Sequence, residues 1–407
     1  MNKKQIFTRS VITVAIAVAS SQTMAAGFQL NAQSATGLGR AFSGDGVIAD
    51  NASTMAKNAA SMALFDAPAL SLGVIAIDTD VQVKNTKFLG QNIDNASIGG
   101  TSYAPNIYYI QPINDNFSVG ASLYSNFGTK TEFKDGYGKD QALGPISPDL
   151  FGGLTDVKSV NLGLSAAYRI NQHFSIGGGL DIIHGSGKLQ RGNAQAANID
   201  ADGLALGYNL GAIYELNQNN RFGLSYRYSP TLKAKGDMHK LNTKTFKIED
   251  LSNEKLLMPL PDMVEFSGFN KLNDKFAVHY SVQWIRWSEF DKLETSGGTL
   301  INEYNWKDAW HYSLGGTYYL NNDWTLRAGY MHDTSAQNER TSISVPDSDR
   351  NWLSSGFSYH VDSKSTIDFG LTYLIGKDVK ANEKNGLLTA TTRADAWLYG
   401  LQYSRSF

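Results

Sequence analysis

The chain has 407 residues with a net charge of −2 and no cysteine, so disulfide frameworks, thiolate metal sites and cysteine nucleophiles are excluded. It carries 39 glycines, only 9 prolines and 46 aromatic residues against 18% charged residues, and that balance gives no electrostatic case for nucleic acid.

Residues 1–25 read as an export signal. Lys3, Lys4 and Arg9 precede an apolar stretch from Val11 to Ser20, and Thr23-Met24-Ala25 is a small-x-small cleavage site before Ala26. No later segment reaches the ~18 consecutive apolar residues of a membrane-spanning helix, so a membrane protein made from this chain must cross with strands closed into a barrel. Residues 26–68 are rich in Gly, Ala and Ser and show neither the helical nor the strand period. A barrel of about fourteen strands is too wide for its own side chains to fill, so this segment is expected to act as an N-terminal hatch, or plug, in the lumen.

From Leu70 onward apolar residues alternate with small or polar ones, the period of strands with two unlike faces. Leu204, Leu206, Tyr208, Leu210, Ala212, Tyr214 and Leu216 form one such face. Six tight Asn/Asp-rich turns fall near residues 115, 171, 218, 273, 322 and 363. Seven longer polar stretches lie at 84–97, 129–156, 187–202, 230–258, 288–303, 333–349 and 377–392. These connections join fourteen strands, with short turns on one side and long loops on the other, as in a bacterial outer-membrane β-barrel spanning residues 69–407. The last strand is aromatic on one face (Trp397, Tyr399, Tyr403) and ends in Phe407, a pattern that points to the outer-membrane assembly machinery as a partner. A secreted β-sandwich would have shorter strands and no such asymmetry of loops.

At Ala26-Gly27-Phe28-Gln29-Leu30-Asn31 and Gly37-Leu38-Gly39-Arg40-Ala41-Phe42-Ser43-Gly44 the sequence resembles the long-chain fatty acid transporter (FadL) family of outer-membrane proteins. The likeness continues through Tyr103-Ala104-Pro105-Asn106, Ser125-Asn126-Phe127-Gly128, Lys307-Asp308-Ala309-Trp310 and Ile343-Ser344-Val345-Pro346-Asp347, and covers essentially the whole chain. The resemblance implies a fourteen-stranded barrel with a luminal hatch, multi-pass in the Gram-negative outer membrane. It further implies passive uptake of long-chain fatty acids by capture at an outer groove, transfer to an inner pocket and sideways release at a kinked third strand. Where the family has Asn-Pro-Ala in the hatch, this chain has Asn58-Ala59-Ala60, which restores a backbone donor and frees φ at the middle residue.

The residue pattern nominates the parts. Strand parity points Arg191 and Lys307 inward near the loop ends, where the resemblance places positive charge beside a substrate carboxylate. In that same parity Trp306 faces outward. The loop at 130–155 is unusually apolar, with Phe133, Leu143, Ile146, Leu150 and Phe151, and is paired with Phe246, Leu256 and Leu257 of the 230–258 stretch as a capture groove. Lys233, Lys235, Lys240, Lys244 and Lys247 are suited to the anionic head groups of lipopolysaccharide. Asn126, Phe127 and Gly128 are the candidate lateral gate, and Phe28 with Asn58, Ala59 and Ala60 the candidate moving part of the hatch. No G-x-S-x-G, H-E-x-x-H or Walker-type motif occurs, so the reading is a transporter without cofactor, metal or catalytic residues. Two other functions stay open: the same mechanism with aromatic hydrocarbons as substrate, and a surface or adhesive barrel that transports nothing.

Overall fold

A computed structural model of the chain describes residues 27–141, 146–192, 195–242, 245–338 and 340–407. The export signal over 1–25, Leu143 of the proposed groove and Lys244 therefore lie outside the described residues. The described residues form a closed barrel of fourteen antiparallel strands: β1 (Ala69–Phe88), β2 (Thr101–Pro112), β3 (Phe117–Tyr124, resuming at Gly128–Glu132), β4 (Leu154–Arg169), β5 (Phe174–Arg191), β6 (Ala197–Asn217) and β7 (Asn220–Tyr228, continuing as Leu232–Asn242) complete the first half. β8 (Met263–Lys271), β9 (Phe276–Ile285), β10 (Ala309–Tyr319), β11 (Trp324–Asp333), β12 (Arg350–His360), β13 (Ser365–Gly376) and β14 (Leu388–Ser406) complete the second. The ring closes where β14 pairs with β1 from Ala69↔Ser406 to Phe88↔Leu388.

The short turns share one chemistry. Asn114, Asn171, Asn273 and Asn321 each accept the amide protons two and three residues ahead through Oδ1, and Asn217 and Asp362 accept the one two residues ahead. The side chain replaces a backbone acceptor and folds the chain back within four residues. The strands that leave these turns present leucine, isoleucine and aromatic residues outward: Leu180, Leu204, Leu206, Leu314 and Leu401 are all more than half exposed, the inverse of a soluble protein and the mark of a lipid-facing belt. Their neighbours Ser175, Asp181, His311, Ser313, Leu398 and Gln402 are buried against what fills the lumen.

The filling is the N-terminal segment. Its turns are capped by Ser34, Asn51 and Asn58, whose side chains accept the amides of Gly37, Ser53 and Ala60. Nearly every residue from Gly27 to Ala63 is buried on all sides, which is why the segment shows neither period. Polar side chains of the barrel wall fasten it: His279 Nδ1 meets Ser43 Oγ at 2.6 Å, Gln402 Oε1 accepts from Ala35 N at 3.1 Å, and Arg221 donates to the carbonyls of Val47 and Ile48. Arg40 pairs with Asp45 and Asp50, and Asp50 also meets Arg327 at 3.2 Å. His279 and His311 thus hold the segment, through Ser43 and Asn31.

Two of the expected loops are largely strand. β5 and β6 extend to Arg191 and from Ala197, leaving a connection of a few residues inside 187–202. The 230–258 stretch is a hairpin in which Leu232–Asn242 pairs with Lys247–Asp250 and with Leu256–Met258. Beyond the membrane both faces of a strand are wet, so polar residues occupy both and the alternation that marks a strand disappears.

Candidate functional site

β3 breaks between Tyr124 and Gly128. Tyr124 stands opposite Asn161 of β4, and Gly128 opposite Lys158, so one extra residue of β3 is accommodated in the break, a bulge. The bulged backbone is satisfied by Ser159, whose hydroxyl accepts from Phe127 N at 3.0 Å and donates to Phe127 O at 2.9 Å. β3 pairs with β2 only from Pro112↔Ser118 to Ile107↔Leu123. Above that point Thr101–Asn106 of β2 keeps its register with β1, and among the described residues the β2–β3 register does not continue. The displaced residues 126–128 turn inward and pair with the N-terminal segment: Leu30 N donates to Asn126 O at 2.7 Å and Gly128 N to Phe28 O at 2.8 Å. Gly128 is not in the left-handed region, so the break follows from the extra residue rather than from glycine's freedom.

Above this ladder lies a largely apolar cavity lined by Phe28, Val157, Leu189, Ile199, Leu256, Met258, Phe290, Leu293, Tyr304, Trp306 and Val345, with Thr129, Thr155 and Lys188, the last paired with Asp200 at 2.8 Å, at its wall. Its floor is aromatic. Phe28 stands 4.6 Å from Trp287, 5.2 Å from Phe290 and 5.8 Å from Trp306 between ring centroids, and Phe127 closes the far side at 6.2 Å. The approach of the chain is tight at Gly27, where a Cβ would stand 2.5 Å from Trp306 and φ is +65°. Over the cavity, Leu256–Met258 pairs with the outer part of β7 at Leu232–Ala234 on one side and with Glu294 and Thr295 on the other.

Arg191, half-buried, stands behind the wall of this cavity, where it is bonded to the lining residue Thr155. Its Nη1 donates to the carbonyls of Leu154 and Gln190 at 2.8 Å, and its Nη2 to Thr155 Oγ1 at 2.8 Å and Ser344 Oγ at 2.9 Å. Every acceptor is a neutral oxygen, and among the described residues no carboxylate forms an ion pair with it. Glu383 acts on it only from a distance, and its carboxyl is bonded to Ile343 N at 2.9 Å and pushed up by burial. Arg191 is thus a hydrogen-bonded but unneutralised charge beside an apolar pocket.

The structure corrects the other cation. β10 keeps its expected parity, with His311, Ser313 and Thr317 inward and Trp310, Tyr312 and Leu314 outward, but it begins only at Ala309. Before it the chain is not strand, the alternation reverses, and Tyr304 and Trp306 turn into the pocket while Lys307 is exposed. Lys307 therefore does not point into the lumen as expected, and Trp306 does not point out.

The proposed groove residues are dispersed. Phe133, Leu150 and Phe151 pack with Val81, Phe88, Ile343 and Leu388 over the β1–β14 seam. Leu256 lines the apolar cavity, Leu257 is half-buried, and Ile146 and Phe246 are exposed, the latter 68%. Trp287, Phe290, Tyr304 and Trp306 were not nominated, and the signal for them was the loss of period 2 after Ile285 within an aromatic run.

Asn58, Ala59 and Ala60 press against a bare stretch of wall. A Cβ on Gly211 would fall 1.9 Å from Asn58 Oδ1, and one on Gly177 2.4 Å from Ala60 N, and the two glycines are paired across β5 and β6. Asn58 also donates to Ala212 O at 3.2 Å.

Comparison with known proteins agrees with this architecture. Residues 16–407 match the family model described as outer membrane protein transport protein (OMPP1/FadL/TodX). The chain is 36% identical over 448 residues to the long-chain fatty acid transport protein of Salmonella typhi, covering all of both chains. Among solved structures, a Pseudomonas aeruginosa FadL homologue superposes with a TM-score of 0.81 at 20% identity, covering 94% of this chain and 100% of that one. The Pseudomonas putida toluene transporter TodX superposes with a TM-score of 0.71 at 17% identity, with the same coverage.

Proposed function

The chain belongs to the outer membrane protein transport protein (OMPP1/FadL/TodX) family, and on that premise we propose that it takes up long-chain fatty acids passively across the Gram-negative outer membrane. The observation that carries the choice of substrate is Arg191, an unneutralised cation bonded to Thr155 in the wall of an aromatic and aliphatic pocket. A tail gains ~0.8 kcal/mol for each CH₂ it buries, and the guanidinium orients the head by charge. A neutral hydrocarbon would use the pocket but leave Arg191 idle. That second reading is favoured by the pocket's aromatic floor. No catalytic step is assigned.

In this account Phe28, backed by Trp287 and Trp306, floors the pocket, and the segment 26–68 acts as a hatch anchored at Asn58-Ala59-Ala60. The end of the β2–β3 register beside Asn126, Phe127 and Gly128 supports sideways release into the bilayer, which keeps the tail out of water throughout. Of the expected groove residues the exposed Ile146 and Phe246 serve capture, Lys307 on the outer surface meets incoming anions without touching the bound head group, and the exposed lysines of the β7 extension meet lipopolysaccharide. Competition between labelled oleate and toluene for the purified barrel tests the substrate: displacement of oleate only by other carboxylates supports the fatty-acid reading, and preferential binding of toluene supports the hydrocarbon one.

A further inference from the structure

Beneath the Phe28–Phe127 ladder lies a second, smaller and more polar cavity. Gln29, Gln33, Asn126, Lys57, Arg227 and Glu265 line it, with Ser225 and Gln283 at its wall. Phe28 faces the apolar pocket while its neighbour Gln29 faces this one, and Asn126 belongs to the break in β3.

Three side-chain atoms of this lining are buried without a hydrogen-bond partner: Gln29 Oε1, Gln33 Oε1 and Asn126 Nδ2, on residues only 2%, 3% and 5% exposed. Unmade hydrogen bonds of this kind cost ~1–3 kcal/mol each, so the lining holds two acceptors and one donor in wait. The cations add no net charge. Lys57 is offset by Glu265 at 3.5 Å and also donates to Asn31 Oδ1, and Arg227 is offset by Asp181 and donates to Ala56 O at 2.9 Å. Arg191, by contrast, has no such counter-charge.

We infer that this cavity is a head-group subsite for the undissociated carboxylic acid, on the path between the apolar pocket and the break in β3. A –COOH group is both donor and acceptor: its O–H gives a proton to a glutamine Oε1, and its carbonyl accepts from Asn126 Nδ2. A carboxylate could accept from Asn126 Nδ2 alone, would face two acceptor oxygens, and would find no free positive charge. The two sites then divide the task, one holding the anion on arrival and the other the neutral acid before it enters lipid, where a charge is expensive. The inference rests on the fatty-acid reading above.

The test uses the full-length protein in detergent micelles with carboxyl-¹³C oleic acid, followed by ¹³C NMR from pH 6 to 8. Two bound carboxyl signals are expected, one at the carboxylate position and one upfield that does not titrate. Asn126→Leu and Gln33→Leu should each reduce the upfield signal at least tenfold and leave the other. Gln33→Glu, which keeps an acceptor, should retain it, whereas a carboxylate subsite would be emptied by the added like charge. A single bound signal in the wild type, an upfield signal that titrates, or one that persists in both leucine variants overturns the inference while the fatty-acid reading stands. No bound oleic acid at all overturns both.

Discussion

Removing the Arg191 side chain is the sharpest perturbation of the proposed anion site. The guanidinium and a carboxylate about 5 Å apart attract by roughly 3 kcal/mol at an effective dielectric constant of ~20. Because Arg191 is half-buried, solvent screening lowers the lower bound to about 1.5 kcal/mol. Arg191→Ala should therefore weaken oleate binding by roughly 10- to 150-fold. The bonds to Leu154 O, Gln190 O, Thr155 and Ser344 are lost at the same time, but they lie at the outer end of β5 where water can replace them. Isothermal titration of the purified barrel with oleate and with methyl oleate separates the contributions: the ester, which carries no charge, should lose less than threefold. Equal losses for both ligands would mean that Arg191 only shapes the pocket, and unchanged oleate affinity would refute the anion site.

Deleting Asn126 should restore a one-to-one register between β3 and β4, allow β3 to pair with Thr101–Asn106, and suppress oleate uptake by cells while oleate binding to the purified barrel persists; uptake at the wild-type rate would refute sideways release. Gly211→Val places carbon atoms where Asn58 Oδ1 now lies, so hydrogen exchange at Asn58–Ser61 should accelerate more than tenfold in a barrel that still assembles. Ala59→Pro should be accepted, because Ala59 opens its 3-10 turn and Asn58 already has the extended backbone that precedes proline; a gain of about 0.4–1 kcal/mol should appear as slower exchange of Ser61. Burial alone would raise the Asp50 carboxyl, but Arg40 and Arg327 draw it below the ordinary carboxylate range, so its contribution is present above about pH 4 and lost below it. Protease access to the N-terminal segment should rise below that pH, and Asp50→Asn should show the same access at pH 7.

Legibility in the sequence followed the environment of each residue. Where lipid lies on one side and the filled lumen on the other, as for Leu204 to Leu216 or Trp397 to Leu401, the two faces differ and the strand and its parity can be read. The turns were legible because Asn114, Asn171, Asn273 and Asn321 perform one backbone task repeatedly. Parity failed at Lys307 because the chain leaves the strand before Ala309, and periodicity carries no information across such a break. The groove failed for a different reason: apolar loop residues such as Phe151 and Leu256 find separate partners, and composition does not say which. The N-terminal segment, packed on all sides, advertised only that it was neither helix nor strand.

The most direct measurement is uptake of radiolabelled oleic acid by Gram-negative cells that lack their own fatty-acid transporter and carry this chain, its Arg191→Ala variant or an empty vector. Saturable uptake above the vector, reduced in the variant, is the predicted result. Uptake at the vector level, with the barrel folded in the outer membrane, would contradict the account.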